Sequence, residues 1–203
     1  MEHLLDVRDL SITYLNKSRN VQAVRHVNFT IDKGDSLGLV GESGSGKSTL
    51  AMGMLRILPQ ESIQMTGSAL FMGKDLVTIS DEEMNKLRWK EIAVVFQKAM
   101  NSLSPVHRIG TQIEDIYHVH EPKATKKEIH DRTMELLKLV NMPERVYKLY
   151  PHEMSGGMLQ RVAIVISLLH NPKLLVFDEA TTALDVVTQG QILEEVVQME
   201  KTI

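Results

Sequence analysis

The chain has no cysteine, which removes disulfide frameworks, thiolate zinc sites and iron–sulfur clusters from these 203 residues. That composition fits a reducing compartment. An excess of basic charge is missing too. Lys and Arg number 23 against 26 Asp and Glu, a formal net charge of −3, so no cationic field invites nucleic acid as a partner. The opening Met1-Glu2-His3-Leu4-Leu5-Asp6 lacks the basic start and apolar run of a secretory signal. The longest apolar stretch, residues 162–169, is far too short to cross a bilayer. The expectation is a soluble chain, long enough for one full core, whose membrane role, if it has one, comes through partners.

What is present is concentrated at Gly41-Glu42-Ser43-Gly44-Ser45-Gly46-Lys47-Ser48, which fits the phosphate-loop pattern G-x-x-x-x-G-K-[ST]. Gly41, Gly44 and Gly46 permit positive φ and let backbone N–H groups close around a di- or triphosphate. Lys47 can reach the β- and γ-phosphates, and the Ser48 hydroxyl can ligate Mg²⁺. Thr49 and the residues after it open a helix, whose N-terminus adds partial positive charge. The apolar run at 36–40 predicts a buried strand before the loop. Leu50, Met54, Ile57 and Leu58 predict a helix after it. Strand–loop–helix marks a nucleotide site rather than a flexible Gly/Ser turn.

Before the loop, alternation at Leu5 and Val7 and at Val27, Phe29 and Ile31 predicts strands, with a polar hairpin loop at 15–20 and a tight turn at 33–35. Tyr14 closes the first strand region, where its ring can stack on a purine or pack beside the strand. After the loop helix, residues 67–71 predict a strand, and Ser80 followed by three acids predicts a helix start. The run at 92–96 reads as a buried parallel strand. It ends at Gln97, either a residue of the ligand edge or simply a loop residue.

Residues 98–150 change character. A capping box at Thr125-Lys126-Lys127-Glu128 precedes Ile129, Leu136, Leu137 and Val140 on one helical face, and Asn141-Met142-Pro143 ends that helix. His118, His120 and His130 show no carboxylate–histidine metal pattern and are read as surface residues. Ser155-Gly156-Gly157 starts a further helix with an apolar stripe at Met158, Val162, Val165, Ile166 and Leu169, stopped by Asn171-Pro172. Two glycines in a first turn cost about 1 kcal/mol each. They suit a docked anion and also a purely structural start. Residues 174–177 are apolar and lead into Asp178 and Glu179, a buried strand ending in two acids at the ligand edge. Asp178 can hold Mg²⁺ through water, and Glu179 can accept a proton from an attacking water. Thr188 is read as the cap of a last helix.

Together these stretches resemble the ATP-binding subunit of ABC transporters, over the whole chain and in order. Residues 41–48 resemble Walker A, Gln97 the Q-loop glutamine, Ser155-Gly156-Gly157 the signature motif, residues 174–179 Walker B, and Ala183-Leu184-Asp185 the D-loop. Tyr14 falls at the family's adenine-stacking aromatic. Finer features are similar to the oligopeptide, dipeptide and nickel import branch: Ser102-Leu103-Ser104-Pro105 after Gln97, Tyr150-Pro151-His152-Glu153, Met158 with Gln160-Arg161, and Thr181-Thr182 before the D-loop. Met154 replaces the usual leucine, a near-isosteric change, and Ala180 the proline that usually follows Walker B.

The resemblance implies an α/β fold: a P-loop NTPase core with an antiparallel β-subdomain and an inserted helical subdomain near 98–170, in one domain spanning 1–203. It implies ATP and Mg²⁺ as cofactors. Mg²⁺ would be held through Ser48, Gln97 and Asp178, catalysis would rest on Glu179, Gln97 and Lys47, and Asp185 would join the nucleotide-binding set. It further implies a head-to-tail dimer with a homologous ATPase subunit, membrane permease subunits, a periplasmic or lipid-anchored binding protein met indirectly, no nucleic acid, and a peripheral place on the cytoplasmic membrane face. In the family a further strand and a switch histidine follow the D-loop helix. The expectation is a C-terminally incomplete domain whose hydrolysis is weak for want of that histidine. Alternatives are a soluble ABC ATPase of DNA repair or translation and an inactive nucleotide-binding truncation.

Overall fold

The structure, a computed structural model, describes residues 3–96, 103–178 and Gly190. It forms two compact units, Met1–Asn85 and Lys86–Ile203, each described by itself. The division falls before residue 98, where the sequence places the start of a helical subdomain.

In the first unit, strands β1 (Leu5–Tyr14), β2 (Val21–Ile31), β3 (Ile63–Phe71) and the two-residue β4 (Lys74–Asp75) build an antiparallel sheet of order β2-β1-β3-β4. Leu5, Val7, Leu10, Ile12, Ala69 and Phe71 are buried. The register of β1 slips on both sides around Asp9. Asp9 and His26 both take left-handed backbone there, and Gly67 stands opposite at φ 89°. A Cβ on Gly67 would run into the Asp9 carbonyl, so the bulge is built around the missing side chain. Helix α1 (Lys47–Met54) belongs to the same unit, and α2 (Asp81–Leu87) runs across its end at Asn85. At the start of α2, Ser80 Oγ accepts from the Glu83 amide at 3.2 Å, as the acids after Ser80 predict.

The predicted strand at 36–40 is not formed. Those residues carry no strand assignment, and Leu37, Leu39 and Val40 are 45%, 46% and 98% exposed. An apolar run becomes a strand only when a neighbour supplies a hydrogen-bond ladder. Among the described residues no strand pairs with this one. The helix after the loop is also shorter than predicted. It ends at Met54, a left-handed Arg56 follows, and Ile57 is exposed.

In the second unit, β5 (Ile92–Phe96) and β6 (Leu174–Asp178) run parallel in the register Ile92↔Leu174 to Phe96↔Asp178. Helices α3 (Ile109–His120), α4 (Lys126–Leu139) and α5 (Gly156–Leu168) share a core with Val95 of β5. Buried Ile109, Ile113, Ile129, Leu136, Val162 and Val165 form it, and they include the predicted helical faces. The Thr125–Glu128 capping box is made in both directions, with Thr125 Oγ1 accepting from the Glu128 amide at 3.2 Å and the Thr125 amide donating to Glu128 at 2.6 Å. Arg132 of α4 donates to the Leu168 and Leu169 carbonyls, satisfying the C-terminal end of α5.

Gly110, inside α3, is unexplained by helix propensity but explained by packing. A Cβ there would overlap the Tyr147 ring, whose hydroxyl donates to Glu114 at 2.8 Å. Burial raises the Glu114 carboxyl, but hydrogen bonds from Tyr147 and Lys126 outweigh it and hold it below its ordinary value. Gly110→Ala is expected to destabilise the chain by about 1–3 kcal/mol, since an aromatic ring cannot yield as a flexible side chain would. Denaturant unfolding checks this, and an unchanged midpoint would mean the ring moves freely.

None of the three histidines singled out in the sequence joins a metal cluster, since no group of three or more metal-ligating side chains occurs among the described residues. His130 packs edge-on against Tyr147, and His118 meets the Glu121 carbonyl at 3.3 Å. His120 lies edge-on to His170, which also packs at 4.6 Å on Tyr117. Nε2 of His170 is buried without a hydrogen-bond partner. Burial, and next the nearby His120, hold the His170 imidazole below its ordinary value. The unfolded chain therefore binds the proton more readily. The contribution of neutral His170 is complete above about pH 6.5 and is lost as pH falls below it. His170→Gln should flatten the acid side of a stability–pH profile, and an unaltered slope would assign that slope to other groups.

Candidate nucleotide site

Two helix starts carry the polar chemistry. In the first unit, Gly44 and Gly46 of the loop take φ 79° and 94°, and Gly46 is the N-cap of α1 with no side-chain cap. A Cβ on Gly46 would strike the Ala23 carbonyl oxygen of β2, so position 46 excludes a side chain both by φ and by space. The loop closes through Ser45 N–H to the Glu42 carbonyl at 3.2 Å. Lys47 Nζ donates to the carbonyls of Gly41 and Glu42 at 2.9 and 2.8 Å, which keeps the ammonium over the loop. Tyr14, at the end of β1, places its hydroxyl 3.2 Å from Thr49 Oγ1. The strand end predicted to carry an aromatic is thus tied to the first turn of the loop helix. Ser48 is exposed in that same turn.

In the second unit, Ser155 is the N-cap of α5, its Oγ accepting from the Met158 amide at 3.3 Å. Gly156 and Gly157 follow, with Gly156 exposed. Neither α1 nor α5 has an acid in its first turn, whereas α2 carries three and α4 carries Glu128. Helix α3 lacks one also, but its first residues Ile109 and Gly110 are buried. The positive ends of α1 and α5 are left unneutralised by the chain itself, which is the condition for receiving an anion.

Asp178 ends β6 beside Phe96, so the two parallel strands finish together at their carboxyl ends. The next residues in sequence are Gln97 and Glu179. Both lie outside the described residues, as do Asp185 and, apart from Gly190, the predicted helix after Thr188. The donors proposed for Mg²⁺ are a hydroxyl (Ser48), a carboxylate (Asp178) and an amide oxygen (Gln97), hard oxygen ligands of the kind that ion takes. The bare Gly44 and Gly46 backbone with a cation above it fits a polyphosphate. Sequence reasoning did not reach the Ala23 carbonyl or the Tyr14–Thr49 bond, because both join residues far apart in the chain.

The chain is similar to known proteins along most of its length. The chain is 47% identical over 203 residues to the oligopeptide transport ATP-binding protein OppD of Bacillus subtilis, a match covering 98% of this chain and 56% of that protein. The chain thus spans about half the length of the curated relative. Among solved structures, the dimeric post-hydrolysis state of the ATP-binding cassette MJ0796 bound to ADP and Pi superposes with a TM-score of 0.83 at 28% identity, covering 98% of this chain and 83% of that one. The structure of cbiO1 from Clostridium perfringens, part of the ABC transporter complex cbiONQ, gives 0.79 at 29% identity, over 100% of this chain and 75% of that one. The family described as ABC transporter matches residues 24–182, a span that takes in the phosphate loop, the Ser155 helix start and the acid-ended strand β6. The chain belongs to the ABC transporter family.

Proposed function

We propose that this chain is the ATP-binding and ATP-hydrolysing subunit of a peptide importer. The phosphate loop carries the reading: two positive-φ glycines, an uncapped helix start, and Lys47 held over the loop by its carbonyls. In it, amides of residues 44–49 and the Lys47 ammonium hold the phosphates, and the Tyr14 ring, fixed through Thr49, stacks on the adenine. Ser48, Asp178 and Gln97 would hold Mg²⁺, which would neutralise charge on the phosphates. Glu179 takes the proton of the attacking water. A homologous subunit packs head to tail, so that Ser155, Gly156 and Gly157 of one chain face the phosphates held by the other, with Asp185 at the joint. The dimeric cassette with ADP and Pi supports that arrangement by likeness. No helix among the described residues is long and apolar enough to cross a membrane. In the proposed complex the chain sits peripherally, on the cytoplasmic face, against permease subunits, as the likeness to an oligopeptide transport ATP-binding protein suggests. A binding protein outside would reach it only through them.

Likeness to OppD supports peptide as the cargo, and nickel is the other cargo the branch implies. The test is ATP turnover by the chain assembled with its permease subunits and binding protein in vesicles. Stimulation by short peptides is expected. Stimulation by nickel alone would overturn the peptide assignment, and no ATP turnover at all would overturn the ATPase reading.

A further inference from the structure

His170 follows directly on the end of α5, and three helices of the second unit meet at it. Its ring packs on two residues from the last turn of α3, Tyr117 at 4.6 Å and His120 at 5.3 Å, the latter edge-on at 77°. Arg132 of α4 fixes the backbone that carries the ring. The guanidinium donates to the Leu168 and Leu169 carbonyls just before His170 and to Asn171 Oδ1 just after it. Nε2 of His170 is buried and has no hydrogen-bond partner. A neutral ring tolerates this, because one nitrogen of a neutral imidazole is only an acceptor. An imidazolium carries a proton on both nitrogens and needs an acceptor for each.

The charges around the ring are arranged against a proton. Those that reach His170 are His120 and Glu121 from α3, Lys90 from the turn before β5, and Arg132 from α4. An imidazolium at 170 therefore meets two fixed cations, a second titratable ring and a single carboxylate. That carboxylate is already engaged, since Lys90 Nζ donates to Glu121 Oε1 at 2.9 Å. The same bond holds the Glu121 carboxyl below its ordinary value, so Glu121 stays ionised while the histidines titrate. Burial first, and then His120, outweigh the attraction of Glu121. The packed arrangement thus favours the neutral ring, and the released one, where the ring meets water, favours the proton. The linked stabilisation is complete above about pH 6.5 and is lost as pH falls below it.

The side of the contact that gives way is α3. The residues flanking His170 are tied to α4 by the three Arg132 bonds, whereas the end of α3 is tied from outside by the Lys90–Glu121 pair, whose side chains are 46% and 48% exposed. An exposed pair of that kind contributes little. Farther back, Ile113 is fully buried and Ile116 and Tyr117 lean on the shared core, so release stops short of them. We propose that His170 latches the last turn of α3 to the end of α5 only while its ring is neutral, so that acidification frees residues 118–121 ahead of the rest of the second unit. The Ser155 start stands at the opposite end of α5, whose 13 residues make it about 20 Å long. The latch therefore loosens one end of the helical core and leaves the glycine start in place.

Nuclear magnetic resonance on the isotope-labelled chain, from about pH 7.5 down to about pH 5, tests the latch. The reporting amide is that of Glu121, which donates to the Tyr117 carbonyl at 3.1 Å. Protection of the 118–121 amides, corrected for the intrinsic pH dependence of exchange, should fall about fivefold or more, while amides of α4 and of residues 160–168 lose less than about twofold. The fall should track the titration of the His170 ring, centred below about pH 6.5. His170→Phe keeps an aromatic ring that takes no proton, and its protection should be flat across the range. His170→Gln is also neutral throughout and gives the same reading where the phenyl ring packs poorly. His120→Gln removes the second ring cation and should shrink the fall. His118→Gln should leave it unchanged, because that ring meets the Glu121 carbonyl instead. A His170 ring that titrates at or above about pH 6.5, a fall of wild-type size in both His170 variants, or an equal loss throughout the second unit would each overturn the latch.

Discussion

Lys47→Ala is expected to weaken ATP binding about 10- to 100-fold, the equivalent of one or two charge-assisted hydrogen bonds to phosphate. Wild-type affinity is expected in the micromolar range, roughly −8 kcal/mol, so the variant should fall toward the limit of titration calorimetry. Two losses combine. The ammonium that would meet the phosphates is gone, and so are its bonds to the Gly41 and Glu42 carbonyls, which hold the loop's entry in place. Methylammonium added to the buffer would restore charge but not that tether, and should recover only part of the affinity. Equal affinity in variant and wild type would remove the phosphate-loop assignment outright.

The second large effect is on chemistry. Glu179→Gln should lower turnover by about 10²–10⁴-fold, the usual contribution of a positioned general base, while ATP still binds. The residue follows in sequence Asp178, which ends β6 opposite Phe96 at the carboxyl end of the parallel pair, the edge where α/β folds bind ligands. Gln keeps the shape and removes the basic oxygen, so the variant separates binding from cleavage. With cleavage stopped, ATP should hold two chains together, and light scattering with ATP and Mg²⁺ should report a dimer that the wild type forms only briefly. Phosphate release at the wild-type rate would exclude Glu179 as the base.

What could be read from the sequence was local. The Thr125–Glu128 box and the Ser155 cap are contained in four consecutive residues each, and both are made as expected. The glycine and lysine spacing of the phosphate loop is local in the same way. Strand 36–40 failed because a strand is a property of two segments, and an apolar run says nothing about which neighbour supplies its ladder. Helix α3 begins at Arg108 without a side-chain cap, so its start left no mark. Gly110 reads as a helix weakener until Tyr147 is seen against it, 37 residues on by sequence number. The His120–His170 contact was invisible for the same reason: its partners are chosen by the fold.

The contact between Gly46 and the Ala23 carbonyl has an evolutionary consequence. Only one of its two partners is chemically committed. Any residue other than glycine at 46 meets both a forbidden φ and an oxygen in its path. At 23 the oxygen belongs to the main chain, which every amino acid provides alike. Mutational load at this junction therefore falls on one side only. The side chain at 23 is not what shapes the loop, so this part of the loop's wall leaves no trace in a motif search even though the motif depends on it.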